Sequence, residues 1–281
     1  MSPSPTPLRL HAAHDPGQRG FTLVELMISI LIALFLTGGL LTLVQAMKRT
    51  TGVQSGMSQL QDSERMAMTL IADVVETAGY FPQPTVNTAA FEFPVTGAFT
   101  FAGQSVVGSG AFTDPAQPGN SITVRYATGG TTPPPPPPVV GPDNTIDCTG
   151  NTSPGPTTFT NTFSVVPDPN VPGTFDLACQ LQNSAANTNT TVYLVSGVTQ
   201  LQVVYGVQTN PSVNNGSADT YLDAATVTAL NYWNKIVSVK VTLTFVNPLY
   251  GSLAGQNMNA DTPQTISFTR VIDVMNKTGV T

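Results

Sequence analysis

The feature that most constrains this chain is the apolar run of residues 19–44, R-G-F-T-L-V-E-L-M-I-S-I-L-I-A-L-F-L-T-G-G-L-L-T-L-V. Between its first residue and its last, the run contains one ionisable side chain, Glu25. A charged side chain inside the hydrocarbon core of a bilayer costs roughly 2.5 to 3.5 kcal/mol on insertion scales, so such residues are rare and usually functional. Glu25 is therefore a candidate functional residue, and it requires a partner.

The length of the run predicts a membrane-spanning helix. At about 1.5 Å per residue, residues 21–44 would extend about 36 Å, which is enough to cross a bilayer with some tilt. A secretory signal peptide would place its small-residue cleavage site after the apolar region, whereas Gly20 stands before it. An ordinary single-pass anchor explains the length but neither the Gly20-Phe21 pair nor Glu25. We expect the run to remain in the mature protein.

The hexapeptide G-F-T-L-V-E at residues 20–25 closely resembles the class III signal of type IV prepilins and pseudopilins. The resemblance implies that residues 1–20 form a leader peptide, which an aspartic prepilin peptidase cuts after Gly20. It also implies that Phe21 becomes N-methylated. In this family, the glutamate that matches Glu25 pairs with the terminal amine of a neighbouring subunit during fibre assembly, which would supply the missing partner.

The likeness extends beyond the signal to the PilW group of minor pilins. It is carried by residues 59–65 (Q-L-Q-D-S-E-R) and 78–80 (A-G-Y), and more weakly by residues 203–206 (V-V-Y-G), Trp233 and residues 236–246. The resemblance implies a bacterial inner-membrane protein with one membrane span and a periplasmic C-terminal domain. Its implied partners are other minor and major pilins, the prepilin peptidase, the inner-membrane assembly platform and the lipid bilayer.

The sequence predicts an α+β, pilin-like fold. Apolar residues recur at helical spacing beyond the membrane run, which predicts one N-terminal helix over residues 21–78 with an apolar face packed on the chain's own domain. The residues of this apolar face are Leu60, Ala67, Leu70, Ile71, Val74 and Ala78. Gly79 and Pro82 predict that the helix ends at Ala78. Residues 79–281 then form a β-rich globular domain.

That domain is expected to contain an antiparallel sheet with one buried face, because several segments alternate apolar and polar residues. The predicted strands cover residues 121–126, 192–196, 201–208, 235–246 and 265–274, and a short helix is predicted over residues 222–230. Residues 127–191 show a poor signal for regular structure and are interpreted as a Pro/Thr/Asn-rich insertion. Within it, Pro133 to Pro138 predict an extended polyproline II segment.

Cys148 and Cys179 are the only two cysteines of the chain. Because an exported domain matures in an oxidising compartment, we expect them to form a disulfide. Chain-entropy arguments assign about 3.7 kcal/mol to a cross-link that closes a loop of about 32 residues.

Catalysis is not expected. The only histidines, His11 and His14, lie in the expected leader, and the sequence shows no Gly-rich phosphate loop or His/Cys metal cluster. We therefore predict no catalytic residue, no cofactor and no dedicated metal site. The formal net charge of −6 and the lack of a basic stripe argue against direct nucleic-acid binding.

Two groups of side-chain oxygens leave calcium binding open. Asp143, Asn144 and Asp147 form one group, and Asp219 and Asp223 form the other. Neither follows the ligand order of a known calcium loop, and Asn and Asp in loops commonly stabilise turns.

The sequence thus predicts a PilW-like minor pilin that helps to initiate or cap a type IV pilus. Two alternatives remain at this point. One is a minor pseudopilin of a type II secretion system, built on the same plan. The other is an adhesive module at a fibre tip that would expose the Thr/Asn/Pro-rich insertion.

Overall fold

The computed structural model describes residues 20–110, 119–131, 141–210, 216–252 and 263–274. Leader residues 1–19 and the predicted polyproline II segment, Pro133 to Pro138, lie outside the described residues. The chain divides into two compact units, residues 1–52 and residues 53–281.

Helix α1 (Leu23–Glu76) is 54 residues long and supplies elements of both units. It ends two residues earlier than expected, because the N–H of Ala78 bonds to the carbonyl oxygen of Val75 (3.1 Å), which tightens the last turn away from α-helical geometry. Gly79 follows with a φ of +77°, the left-handed conformation predicted for the residue after the helix.

In the second unit, the predicted apolar face of α1 is buried. Leu60, Ala67, Ile71, Val74 and Ala78 belong to one hydrophobic cluster with side chains from the strands. The prediction that this part of the helix packs on the chain's own β domain is therefore confirmed.

The second unit contains nine described strands in two antiparallel sheets, where the sequence analysis expected a single sheet. The strands are β1 (Val106–Ser109), β2 (Ser121–Thr128), β3 (Thr157–Pro167), β4 (Phe175–Asn183), β5 (Thr188–Ser196), β6 (Val198–Val207), β7 (Thr220–Leu222), β8 (Ile236–Val246) and β9 (Thr265–Asp273). The first sheet has the order β1-β2-β3-β4-β5 and the second has the order β7-β6-β8-β9. Short helices α2 (Ala89–Glu92), α3 (Ala224–Ala229) and α4 (Pro248–Ser252) complete the described elements, with a 3₁₀ turn at Trp233–Lys235.

Four of the predicted strands coincide with β2, β6, β8 and β9 to within a few residues, and the predicted short helix contains α3. The interpretation of residues 127–191 as poor in regular structure was wrong. This stretch contains all of β3 and β4, and it contains the start of β5, of which only the end was predicted.

The reason lies in the inward face of β3. Phe159, Phe163 and Val165 alternate into the core as in any half-buried strand, but Thr157 and Asn161 point to the same buried side. The Asn161 side-chain oxygen accepts a hydrogen bond from the backbone N–H of Cys148 (3.0 Å), and the Thr157 hydroxyl donates one to Asn183 (2.6 Å). Because the Asn161 oxygen and the Thr157 hydroxyl are paired, their burial does not break the strand, although the Asn161 Nδ2 has no hydrogen-bond partner among the described residues.

The disulfide between Cys148 and Cys179 is present, with an S–S distance of 2.01 Å. Cys179 lies in β4 opposite Phe163 of β3, and Cys148 lies in the loop that precedes β3. Both cysteines are buried. The bond therefore fixes the 141–151 loop to the core of the first sheet.

Arg125 in β2 is the one buried arginine among the described residues, with 2% of its surface exposed. Its Nε donates to the carbonyl oxygen of Gln104 (2.7 Å), while Nη1 and Nη2 donate to the carbonyl oxygens of Pro94 (2.9 Å) and Phe93 (3.2 Å). The guanidinium also lies over the Phe99 ring, 4.0 Å from its centroid. A single side chain thus fastens residues 93–104 onto the sheet.

Burial lowers the pKa of Arg125 to about 10, because the charged form loses hydration. The side chain is nevertheless charged at neutral pH. The first sheet therefore carries a buried cation whose described partners are carbonyl dipoles and aromatic rings.

Replacing Cys148 and Cys179 by serine should lower the free energy of unfolding by about 3 to 4 kcal/mol, because the unfolded chain regains the entropy of an open loop. Urea denaturation of the variant and the unreduced parent protein would measure this difference. In the parent, thiol labelling of the denatured, unreduced protein should detect neither cysteine. Full labelling of both cysteines would contradict the disulfide.

Arg125→Lys should destabilise the second unit by about 1 to 3 kcal/mol, because a lysine ammonium cannot reach three separate carbonyl groups in the geometry of a planar guanidinium. Denaturant unfolding measures the change. Arg270→Lys provides the matched control, because Arg270 in β9 is exposed and should tolerate the substitution within about 0.5 kcal/mol. Equal effects at the two positions would show that the carbonyl contacts of Arg125 do not stabilise the fold.

Candidate functional site

The candidate site lies at the N-terminal end of α1, where the surface of the first unit is apolar on every side. All large apolar side chains between Phe21 and Met47 are at least 45% exposed, and Phe35 reaches 82%. By length and composition, α1 is the one described helix that could span a membrane. A helix that is apolar all round is suited to lipid or to the interior of a helix bundle.

The polar side chains along this surface are satisfied within the helix. The hydroxyls of Ser29, Thr37 and Thr42 donate to the carbonyl oxygens of residues one turn earlier, at 2.7, 2.6 and 2.8 Å respectively. Such bonds let serine and threonine enter an apolar medium without water. These hydroxyls therefore need no partner outside their own helix.

Glu25 differs from them. It lies in the first turn of α1, where its backbone N–H donates to the hydroxyl of Thr22 (3.3 Å). Within residues 20–110 and the other described segments, no donor is recorded for the Glu25 carboxylate. The positive end of the helix dipole favours a carboxylate at this position, but the dipole does not replace a cation or a hydrogen-bond donor in lipid.

Gly20 and Phe21 precede the helix. Gly20, Phe21 and Thr22 have no helical or strand assignment, and both Gly20 and Phe21 are exposed. A peptidase that cuts after Gly20 would therefore meet an accessible peptide bond outside regular secondary structure. The structure brings the three predicted site residues Gly20, Phe21 and Glu25 together at one helix end, whereas Cys148 and Cys179 belong to the other unit.

Thr22 is a residue of this site that the sequence analysis did not single out. Its hydroxyl accepts the hydrogen bond that caps α1, as in the capping-box pattern of Ser or Thr followed three residues later by Glu or Gln. The spacing of Thr22 and Glu25 carried that signal.

The side-chain oxygens considered for calcium binding are occupied by their own loops. Asp143 accepts hydrogen bonds from the Thr128 hydroxyl (2.6 Å) and the backbone N–H groups of Gly129 (2.8 Å) and Thr145 (3.2 Å). Burial raises the pKa of Asp143, but these hydrogen bonds outweigh it and hold the pKa below its ordinary value. Asp147 likewise accepts from the N–H groups of Thr149 and Asn151.

In the second group, Asp219 accepts from the N–H groups of Thr209 and Asn210, and Asp223 caps α3 by accepting from the N–H of Thr226. A search of the described residues finds no group of three or more His, Cys, Asp or Glu side chains suited to a metal ion. The hydrogen bonds thus support the interpretation of these residues as turn and helix caps.

Residues 203–206 and Trp233, which carry the weaker part of the sequence resemblance, lie in the core of the second sheet. The rings of Tyr205 and Trp233 pack edge to face with centroids 4.9 Å apart. A Cβ atom at position 206 would lie 2.2 Å from the Ser238 Oγ, so only glycine fits there without displacement. The strand thus requires an aromatic residue and a glycine side by side.

Two family models match the chain. The model described as the prokaryotic N-terminal methylation motif matches residues 15–41, and the model described as Type IV Pilus-assembly protein W, or PilW, matches residues 163–274. The first match contains Gly20, Phe21 and Glu25, and the second contains the Tyr205–Trp233 core. A search of curated proteins finds no match.

The first match covers the start of the apolar helix with its single carboxylate, and the second covers the whole second sheet together with β4, β5 and the end of β3 of the first sheet. The alternative of an unrelated single-pass anchor explains neither match. The two matches thus support a type IV pilin-like protein of the PilW type, a minor pilin involved in pilus assembly.

Proposed function

We propose that this minor pilin helps to initiate or cap the pilus, and that Glu25 docks it to the next subunit. The observation that carries the proposal is a carboxylate with no described partner, one helical turn from the expected new N-terminus, on a surface that is otherwise apolar. Cleavage after Gly20 would create a positive amine at Phe21. The Phe21 amine of a neighbouring subunit is then the partner that Glu25 lacks.

The magnitudes favour this pairing. Two opposite unit charges 4 Å apart attract by about 4 kcal/mol at an effective dielectric constant of 20. Leaving the carboxylate alone in hydrocarbon costs roughly 3 kcal/mol. Pairing therefore offsets the insertion cost, so Glu25 favours the assembled state over the isolated subunit in the bilayer.

The mature chain would comprise an N-terminal segment of residues 21–78, which contains α1, and the globular domain of residues 79–281. The first half of the helix would cross the bacterial inner membrane once, and the domain would face the periplasm. The prepilin peptidase, the inner-membrane assembly platform, other minor pilins and the major pilin are its proposed partners. A structural rather than catalytic role agrees with the generally structural nature of this family.

The match to a pilus-assembly family supports a pilus subunit over a pseudopilin of a type II secretion system. The adhesive alternative relied on residues 127–191 as an exposed irregular insertion. Much of that stretch instead forms β3 and β4 of the first sheet. Assembly is therefore the better-supported role.

The mature protein should begin at an N-methylated Phe21, because the leader ends at an accessible Gly20-Phe21 bond. Intact-mass analysis of the chain purified from membranes measures this directly. Gly20→Val should block cleavage and leave the leader attached. A mature wild-type chain that starts at Met1, or beyond Val44, would contradict the pilin mechanism.

Glu25→Ala should leave membrane insertion unchanged or easier, because an insertion penalty is removed. Docking to the next subunit should weaken more than tenfold, because the neighbour's buried amine loses its counter-charge. The readout is the number of pili on cells that lack the wild-type copy, together with the membrane level of the variant.

Asp62→Ala is the matched control for this experiment, because Asp62 is an exposed carboxylate on α1 beyond the apolar run. It should leave piliation intact. Normal piliation by the Glu25→Ala variant at a normal protein level would show that the carboxylate is dispensable.

A further inference from the structure

A cleft of about 430 Å³ lies over the first sheet, on the face that points away from the hydrophobic core. Its floor follows one cross-strand row, because Arg125 is opposite Thr160, Thr160 is opposite Gln182, and Gln182 is opposite Asn189. Directly opposite residues of antiparallel strands project from the same face of a sheet. Residues of the 92–96 segment, which Arg125 fastens to the sheet, complete the wall.

A solvated outer sheet face is ordinarily polar, so hydroxyl and amide groups alone would not indicate a ligand site. This face differs because its lining includes a cation that is 2% exposed. A guanidinium has five N–H donors, and three of those of Arg125 are bonded to carbonyl oxygens of Phe93, Pro94 and Gln104. Among the described segments, no carboxylate forms an ion pair with it, and no acceptor is recorded for the other two donors.

We propose that this cleft binds a carboxylate-bearing sugar. A carboxylate can accept hydrogen bonds from the two N–H donors of Arg125 that have no recorded acceptor, and its charge offsets that of the guanidinium. The hydroxyl and amide side chains of Thr160, Gln182 and Asn189 both donate and accept hydrogen bonds, as sugar hydroxyls do. The volume lies within the range of small-molecule sites.

Glu92 also lines the cleft, where its carboxylate accepts a hydrogen bond from Asn87 (2.6 Å). This negative charge opposes an anion, and it disfavours a multiply charged ligand such as phosphate more than a single carboxylate. The Glu92 carboxylate therefore limits the negative charge that a ligand in this cleft can carry. Removing it should strengthen the binding of a monocarboxylate.

The test is calorimetric titration of the full chain in detergent with D-glucuronate, D-glucose and acetate. Glucuronate should bind with about millimolar affinity, as expected for a ligand of its size. Glucose lacks the carboxylate and acetate lacks the hydroxyls, so each should bind at least tenfold more weakly. The titration uses purified protein and is independent of the role in assembly.

Rim variants avoid disturbing the carbonyl contacts of Arg125. Glu92→Gln should tighten glucuronate binding, because it removes a negative charge from the lining of the cleft. Asn187→Asp should weaken binding by about three- to fivefold, because it adds a negative charge there. Asn231→Asp is the matched control. Like Asn187, Asn231 is exposed and has a positive φ, 55° against 49°. Unlike Asn187, it lies outside this cleft. It should leave the affinity unchanged.

Four outcomes would overturn the proposal. The first is that glucuronate does not bind even at concentrations well above millimolar. The second and third are that glucose or acetate binds with the same affinity as glucuronate. The fourth is that Asn187→Asp and Asn231→Asp change the affinity for glucuronate equally. Unfolding curves of each variant establish that the fold is retained, and only variants that match the parent's unfolding midpoint enter the comparison.

Discussion

The first half of α1 exposes apolar side chains in every direction, and the proposed function of the chain depends on this constraint. Ser29, Thr37 and Thr42 satisfy their hydroxyls within the helix, which removes any need for water along this surface. In such an environment, the single carboxylate of Glu25 has the strongest requirement for an external partner. A subunit with this helix end therefore gains most when another subunit places a cation beside it.

The same helix changes character along its length. In the second unit, only one face of α1 is apolar, and Ala67, Ile71 and Val75 on that face are fully buried in the common core. Small and β-branched side chains allow the strands to approach the helix closely. Arg125 then fastens residues 93–104 onto the first sheet, and the Cys148–Cys179 bond attaches the 141–151 loop to the core. A single helix thus combines a segment long and apolar enough to span a membrane with an element of the globular core.

Much of the fold could be predicted from patterns within single elements. Strands β6 and β8 alternate valine or leucine with polar residues, so their buried faces were evident from the sequence. Strand β3 was missed because Asn161 points inward, and its satisfaction by the N–H of Cys148 depends on tertiary structure. The role of Arg125 was hidden for the same reason, since its three acceptors lie 21 to 32 residues away. The candidate assembly site could be proposed from the sequence because Gly20, Phe21 and Glu25 lie within one hexapeptide, and its role stays a prediction.

The central claim is that this chain becomes part of the fibre. The most direct measurement is quantitative mass spectrometry of pili sheared from the cell surface, with an abundant inner-membrane protein as the marker of contamination. The account predicts that peptides of the second unit are enriched with the fibres relative to that marker, at a small fraction of the amount of the main subunit. Normal fibres that contain no more of this chain than of the membrane marker would contradict it.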